Sequence, residues 1–365
     1  MDEKEPSIMD ENETFFSEGA YGCVMYPRVD CYGNLKNKVK KGMKKEMSKI
    51  VRNDFTAENE IILGKKINKI NKKTKKMIFL PVTRSCIVQK EKVDKYKDCH
   101  FFTQDKYKTL TNYKILYANY VKSNTLHTYL FKDVSSLDIK KIFKYYHFMI
   151  NAIDLMQCAG VIHNDLNMKN VLVTKKEKMH VIDFGRSIMT KKIFYKNGQA
   201  NMKYLKHFFS IWKPSNFFFW PIEHYLLSFF IKEERSMDEK TLVDIIDLYY
   251  NNDKNRVLYL KDKDSRDRYV KHIYKHYEEK FVNTLSYKTH IKEIINEAST
   301  SWDLYAICYI CFRFIQKNKK QIPKDKYNWF IICLNDSLHY DYTRRPSLIY
   351  HQENAKKVQE RILPI

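Results

Sequence analysis

One stretch constrains this chain more than any other: V-I-H-N-D-L-N-M-K-N-V-L-V, Val161 to Val173. Apolar flanks enclose a polar centre with a carboxylate, Asp165, and an amide five positions on, Asn170. Upstream, Ile139, Ile142, Phe143, Tyr146, Met149, Ile150 and Ile153 recur at helical spacing, predicting a helix over 136–160. Ser136 can cap its start and Gly160 its end. Downstream, Val171–Val173 reads as a strand, 175–178 as a charged turn and Val181-Ile182 as a second strand, followed by Asp183-Phe184-Gly185. The fold must therefore seat a polar loop and a D-F-G turn at the ends of two short paired strands.

Such a placement suits chemistry on a phosphate donor. Phosphoryl transfer needs metal ions on the phosphates, cations for developing charge and a carboxylate to orient the attacking hydroxyl. Asp165 can accept the hydroxyl proton, while Asn170 and Asp183 offer the hard oxygens that Mg²⁺ prefers.

The rest of the chain is organised around this centre. Thr14–Val24 reads strand, small-residue turn, strand; Glu46–Val51 is a strand carrying Lys49; 56–70 is helical with Glu60 in its first half; Tyr113–Tyr120 is a further strand. Asp303–Ile315 is apolar nearly all round, as a buried helix would be. Residues 232–300 alternate amphipathic stretches with charged turns and read as a helical insertion.

Length and composition fit this picture. At 365 residues with 44% hydrophobic content, the chain can bury one large core or two. The formal charge of +23 is mostly lysine, with runs at 36–45 and 65–76. It is read first as a solvated basic surface, second as attraction for nucleic acid, acidic protein or anionic lipid. No zinc-finger, RGG or RNP pattern is present, so no specific nucleic-acid partner is expected. Among the eight cysteines, Cys308 and Cys311 form a C-x-x-C inside an apolar run and read as buried thiols. No disulfide framework is indicated, which implies a reducing compartment. The acidic start, M-D-E-K-E-P, is not a signal peptide. The apolar run 217–231 is broken by Pro221, Glu223 and His224 and is too short for a membrane span.

His163–Asn170 and Asp183–Gly185 together resemble the catalytic loop and D-F-G of the eukaryotic-type protein kinase superfamily. The resemblance runs from about Thr14 to Arg345. S-E-G-A-Y-G-C-V is similar to the glycine-rich loop, with Ser17 where the first glycine would stand and Gly19, Gly22 and Val24 retained. Lys49 resembles the strand lysine that grips phosphates, and Glu60 its helical partner, with Glu58 as a rival. Tyr120-Val121 would be the hinge that holds adenine, and Ala118 the residue guarding the pocket behind it. W-P-I-E at 220–223, Asp303 and Arg345 resemble landmarks of the substrate lobe, with Glu223 and Arg345 as a structural pair.

The resemblance implies an α+β, two-lobed fold. Residues 1–121 would form a small antiparallel sheet with one helix, and 122–365 a larger helical lobe. It implies an enzyme using ATP and Mg²⁺ to phosphorylate a protein substrate. Asp165 and Lys169 would be catalytic, Asn170 and Asp183 metal ligands. The combined pattern looks most like serine/threonine protein kinases of giant nucleocytoplasmic DNA viruses. That implies an intracellular setting, host cytoplasm or virion; oligomeric state is left open. The alternative is a pseudokinase scaffold that binds nucleotide without transfer, and a small-molecule kinase is a third reading.

Three departures matter. Asn164 replaces the arginine that in the family gathers a phosphorylated activation segment, implying activity without that phosphorylation. Asn167 stands where Ser/Thr kinases carry lysine, and Lys169 could reach the γ-phosphate instead. The segment 183–223 is long, basic and aromatic, which suits either acidic substrates or simple packing.

Overall fold

The computed structural model describes residues 15–19, 22–36, 45–96, 99–103, 109–131, 139–209, 219–251, 263–284, 286–318 and 324–361. Thr14, Ala20 and Tyr21 of the glycine turn, residues 37–44 of the first lysine run, Ser136, and 210–218 of the long segment lie outside them. In chain order the elements are β1 (Phe15–Gly19), β2 (Gly22–Tyr26), β3 (Glu46–Arg52), α1 (Phe55–Thr74), β4 (Val82–Gln89), α2 (Lys90–Val93), β5 (Asn112–Asn119), β6 (Ser123–Thr125) and α3 (Leu126–Phe131). Then come α4 (Lys140–Cys158), β7 (Val161–Ile162), β8 (Val171–Thr174), β9 (Met179–Val181), β10 (Ile188–Met189), α5 (Met202–Phe209) and α6 (Ile222–Glu233). The chain continues through α7 (Glu239–Asn251), α8 (Lys263–Phe281), α9 (Tyr287–Ala298), α10 (Trp302–Lys317), α11 (Lys324–Ser337) and α12 (Leu348–Arg361). The expected class holds: a small antiparallel sheet near the N-terminus and a larger helical part after it. Two compact units divide the chain, 1–134 with 168–187 and 135–167 with 188–365.

In the first unit an antiparallel sheet runs β1-β2-β3-β5-β4. Its register places Val24 opposite Lys49, and Lys49 opposite Leu116. One face closes over Cys23, Met25, Ile50, Ile115 and Tyr117; the other receives Ala57 of α1 against Val51, Val82 and Leu116. Asp54 caps α1, accepting the Ala57 N–H at 3.2 Å. At Gly64 a Cβ would stand 2.3 Å from the Val82 carbonyl oxygen, so only glycine lets α1 pack this closely. A smaller sheet, β6-β8-β9, carries the expected paired strands, with Val171 opposite Val181.

Two features depart from expectation. β4 carries no strand signal in its sequence, because Thr83, Arg84 and Ser85 are exposed at the sheet edge, which erases the period-2 pattern. The absence of a disulfide framework is also corrected: Cys23 pairs with Cys99 and Cys31 with Cys86, with Cα separations of 6.2 and 5.9 Å. The partners lie 76 and 55 residues apart, so local spacing carried no trace of them. Cys308 and Cys311 are buried free thiols, as read.

In the second unit, α4 buries Ile142, Phe143, Tyr146, Met149, Ile150 and Ile153, the stripe the spacing predicts. It ends at Gly160, whose φ of 64° lies where glycine is favoured. Helix α10 is buried on nearly every side, from Trp302 to Ile315. Among the described residues of 232–300 stand helices α7, α8 and α9, while 252–262 and 285 lie outside them. The apolar run 217–231 leads into α6, whose buried residues include Glu223 and His224. Among the described residues no helix is long and apolar enough to cross a membrane.

Candidate active site

In the first unit Lys49 is the centre of a charged cluster. Its Nζ lies 3.0 Å from Asp183 Oδ1 and 3.3 Å from Glu60 Oε2. β3 aims the lysine and α1 supplies the glutamate, nearly two turns in from the Asp54 cap. Glu58, the rival, pairs instead with Lys114 of β5. The D-F-G turn is held from the same helix: Asn59 Nδ2 donates to the carbonyls of Gly185 (3.1 Å) and Ser187 (2.8 Å). Phe184 is buried, edge-on to Phe79 at 6.0 Å. Asp183 itself sits at φ 62°, a left-handed conformation uncommon for aspartate. A Cβ on Gly185 would come within 2.8 Å of Thr56 Cγ2 and 3.4 Å of the Glu60 carboxylate, so a side chain there would have to displace Thr56.

The electrostatics leave this cluster short of positive charge. Burial alone would lower the Lys49 pKa, but Asp183 and Glu60 raise it, so the ammonium stays charged. Burial lifts Glu60, Lys49 opposes, and Asp183 lifts it again; the net is a rise to about 7. Two carboxylates share one ammonium, and the less exposed of them gives way. A divalent cation would supply the missing charge, and the Asp183 carboxylate and Asn170 amide are hard donors suited to Mg²⁺. Asn170 is buried, and its backbone carbonyl accepts the Ile182 N–H at 3.0 Å, which fixes it beside the residue that links β9 to Asp183.

The raised Glu60 pKa yields a prediction. A carboxyl whose folded pKa lies above its unfolded value favours folding at low pH. That contribution is lost as pH rises from the ordinary 4.5 through about 7. Between pH 6 and pH 8 the nucleotide-free protein should lose about 1 kcal/mol relative to Glu60→Gln. Urea midpoints for both proteins at both pH values check this; parallel pH dependence would refute it.

The remaining sequence-predicted residues of this unit fall around the sheet. Gly19 faces Gly22 across the β1–β2 turn, and Ser17 faces Val24. At Gly22 a Cβ would stand 2.1 Å from the Ile50 carbonyl oxygen, so packing on β3 already demands glycine there. Tyr120 donates its N–H to the Lys45 carbonyl (2.8 Å), and its ring stacks on Tyr26 with centroids 3.6 Å apart. Ser123 Oγ donates to the Val121 carbonyl at 2.9 Å. Ala118 is buried opposite Met47. Lys169 is exposed in the turn before Asn170.

In the second unit Asp165 is buried to within 7% of full cover. Asn167 Nδ2 lies 3.3 Å from both its Oδ1 and its carbonyl oxygen, so the amide orients the carboxylate. The loop backbone is gripped by Asp303, which accepts the N–H groups of His163 (2.7 Å) and Asn164 (2.9 Å). Burial pushes the Asp303 pKa up despite the opposing effect of His163 and these two bonds. Glu223 and Arg345 form the expected pair, bidentate at 2.5 and 2.9 Å.

Sequence reading passed over Asn59 and the orienting bond from Asn167. The second had a signal, because Asn two positions after Asp is a local turn pattern. The first had none, since Asn59 reaches carbonyls 126 and 128 residues away.

Residues 100–212 match the family model for protein tyrosine and serine/threonine kinase. That span carries Tyr120-Val121, the loop 163–170 and D-F-G. No curated protein matches the chain. With the fold, the family match supports the eukaryotic-type protein kinase superfamily, and with it a phosphotransferase acting on protein.

Proposed function

We propose that the chain is an active ATP- and Mg²⁺-dependent protein kinase that transfers the γ-phosphate to a protein serine or threonine hydroxyl. The observation that carries it is Lys49 bridging Glu60 and Asp183 beside a D-F-G turn, a phosphate-binding cation set between carboxylates. In this reading 1–121 is the nucleotide lobe and 122–365 the substrate lobe. Gly19, Gly22 and Val24 cover the nucleotide, while Tyr120 and Val121 offer backbone groups to adenine. Lys49 holds phosphate oxygens, with Glu60 fixing its direction. Asn170 and Asp183 hold Mg²⁺, which neutralises charge on the phosphates. Asp165, oriented by Asn167, takes the acceptor's proton, and exposed Lys169 supplies a cation to the transferred group.

The serine/threonine assignment and an origin in giant nucleocytoplasmic DNA viruses rest on the sequence resemblance, as does an intracellular setting, host cytoplasm or virion. The two cystine pairs mean that cysteine usage no longer supports that setting.

The test is transfer from γ-labelled ATP to a panel of basic, acidic and tyrosine-containing proteins, with Mg²⁺ and with chelator. Label on serine or threonine that vanishes with chelator is expected. Phosphotyrosine alone would overturn the acceptor assignment. No label, from a preparation that still binds ATP, would overturn transfer in favour of a nucleotide-binding scaffold.

A further inference from the structure

Asn164, the residue before Asp165, is 4% exposed and sits at φ 63°, in the left-handed region. Its backbone N–H is held by Asp303 at 2.9 Å, and its carbonyl accepts the indole N–H of Trp220 at 3.0 Å. Its side-chain Oδ1 lies 2.8 Å from His224 Nε2. Oδ1 can only accept, so Nε2 carries the shared proton. His224, in the first turn of α6, is 1% exposed and boxed by rings. It stacks on Trp220 with centroids 5.1 Å apart, meets the edge of Trp302 at 4.5 Å and tilts against Phe209 at 5.5 Å.

The chemistry of this box decides what it can hold. Three aromatic walls suit a neutral donor, whereas a guanidinium brought in at position 164 would need a counter-charge to offset its desolvation. The carboxamide of Asn164 meets the imidazole of His224 instead. The bond is short, buried and flanked by rigid rings, so it has little freedom to swing. It joins the corner where the long segment 183–223 ends to the residue that precedes Asp165.

We infer that Asn164 and His224 are positioning residues. Their buried hydrogen bond fixes the loop bearing Asp165 to the start of α6, so the loop is set without a phosphorylated activation segment. This deepens the protein kinase reading and rests on it. Neither residue touches reacting atoms; they act through the direction of Asp165.

Three variants test the link: His224→Phe keeps a ring and removes the donor, His224→Gln keeps an N–H donor, and Asn164→Ala removes the acceptor. A displaced catalytic group costs on the order of 10²-fold. His224→Phe should therefore lower kcat by about 10- to 100-fold with KM for ATP unchanged, and His224→Gln should recover most of it. Asn164→Ala with His224→Phe should cost no more than Asn164→Ala alone, and phosphatase-treated wild type should keep its turnover. Hydrogen exchange at the backbone amides of 163–167 reads the link without catalysis. It should rise in His224→Phe and Asn164→Ala and stay near wild type in His224→Gln. Unchanged exchange in His224→Phe would overturn the inference. So would equal impairment of His224→Gln and His224→Phe, or activity lost on phosphatase treatment. If wild type transfers no phosphate, the kinase reading falls, while exchange at 163–167 still decides whether the link holds the loop.

Discussion

Alanine at Asp165 should lower the rate of transfer by about 10²–10⁴-fold, the range a general base contributes. The argument begins with what the side chain can do. An ionised carboxylate only accepts hydrogen bonds, and one of its oxygens is already steered by Asn167 Nδ2 at 3.3 Å. The acceptor hydroxyl must lose a proton as its oxygen attacks, and within the loop 163–170 Asp165 is the only carboxylate. Truncation leaves water to take that proton. The residues proposed to bind the nucleotide itself lie elsewhere in the sequence, on β1, β2 and β3 and at Tyr120-Val121, so affinity for ATP should hold within a few-fold. Single-turnover rates with saturating ATP, paired with nucleotide titration, separate the two. An unchanged rate would remove Asp165 from the chemistry. Loss of ATP binding together with rate would mean that the loop had collapsed.

The candidate catalytic residues stand out in the sequence because their signals are local. Asp165 and Asn170 sit five apart in one loop, and Asp183 follows two short apolar strands that read clearly from Val171–Val173 and Val181-Ile182. The α4 stripe and the all-round apolar α10 were legible for the same reason: burial writes a period into the sequence. What failed to show is what the tertiary fold brings together. Glu58 and Glu60 are equivalent on paper. Two residues along a helix is a rotation of roughly 200°, so one reaches Lys114 and the other Lys49, and only the placement of α1 on the sheet decides which. Gly22 is matched to the glycine-rich loop by its place in the sequence, yet the Ile50 carbonyl already excludes a side chain there.

His224 shows the same limit. In sequence it is a polar break in an apolar run, useful only as an argument against a membrane span. In the fold it lies among Phe209, Trp220 and Trp302, drawn from three separate stretches, and meets an asparagine 60 residues upstream. Cys23 and Cys99 are a parallel case, since a pairing across 76 residues leaves no spacing rule to read.

Removing either partner of the Glu223–Arg345 pair should destabilise the protein by about 3–5 kcal/mol. The side chains are 0% and 2% exposed, so whichever charge remained would be stranded in the interior. Burial alone would lower the Arg345 pKa, but the Glu223 charge and its hydrogen bonds raise it, and the guanidinium stays charged. Arg345 is committed on every side: its Nε donates to the His339 carbonyl at 2.8 Å, Nη1 also lies 3.2 Å from Ser301 Oγ, and its plane stands 4.8 Å from the Tyr305 ring centroid. Glu223→Ala would leave a buried cation without its counter-charge, and Arg345→Ala would leave a buried carboxylate. Replacing both by leucine should cost far less than either single change, because desolvation offsets much of what the pair gains. Urea unfolding of the three variants separates the cases. A single-variant cost below about 1 kcal/mol would place the pair in the range of solvent-screened surface ion pairs instead. If the double variant lost as much as the sum of the singles, the two side chains would be acting independently, and the bidentate contact would not be what joins α6 to the segment before α12.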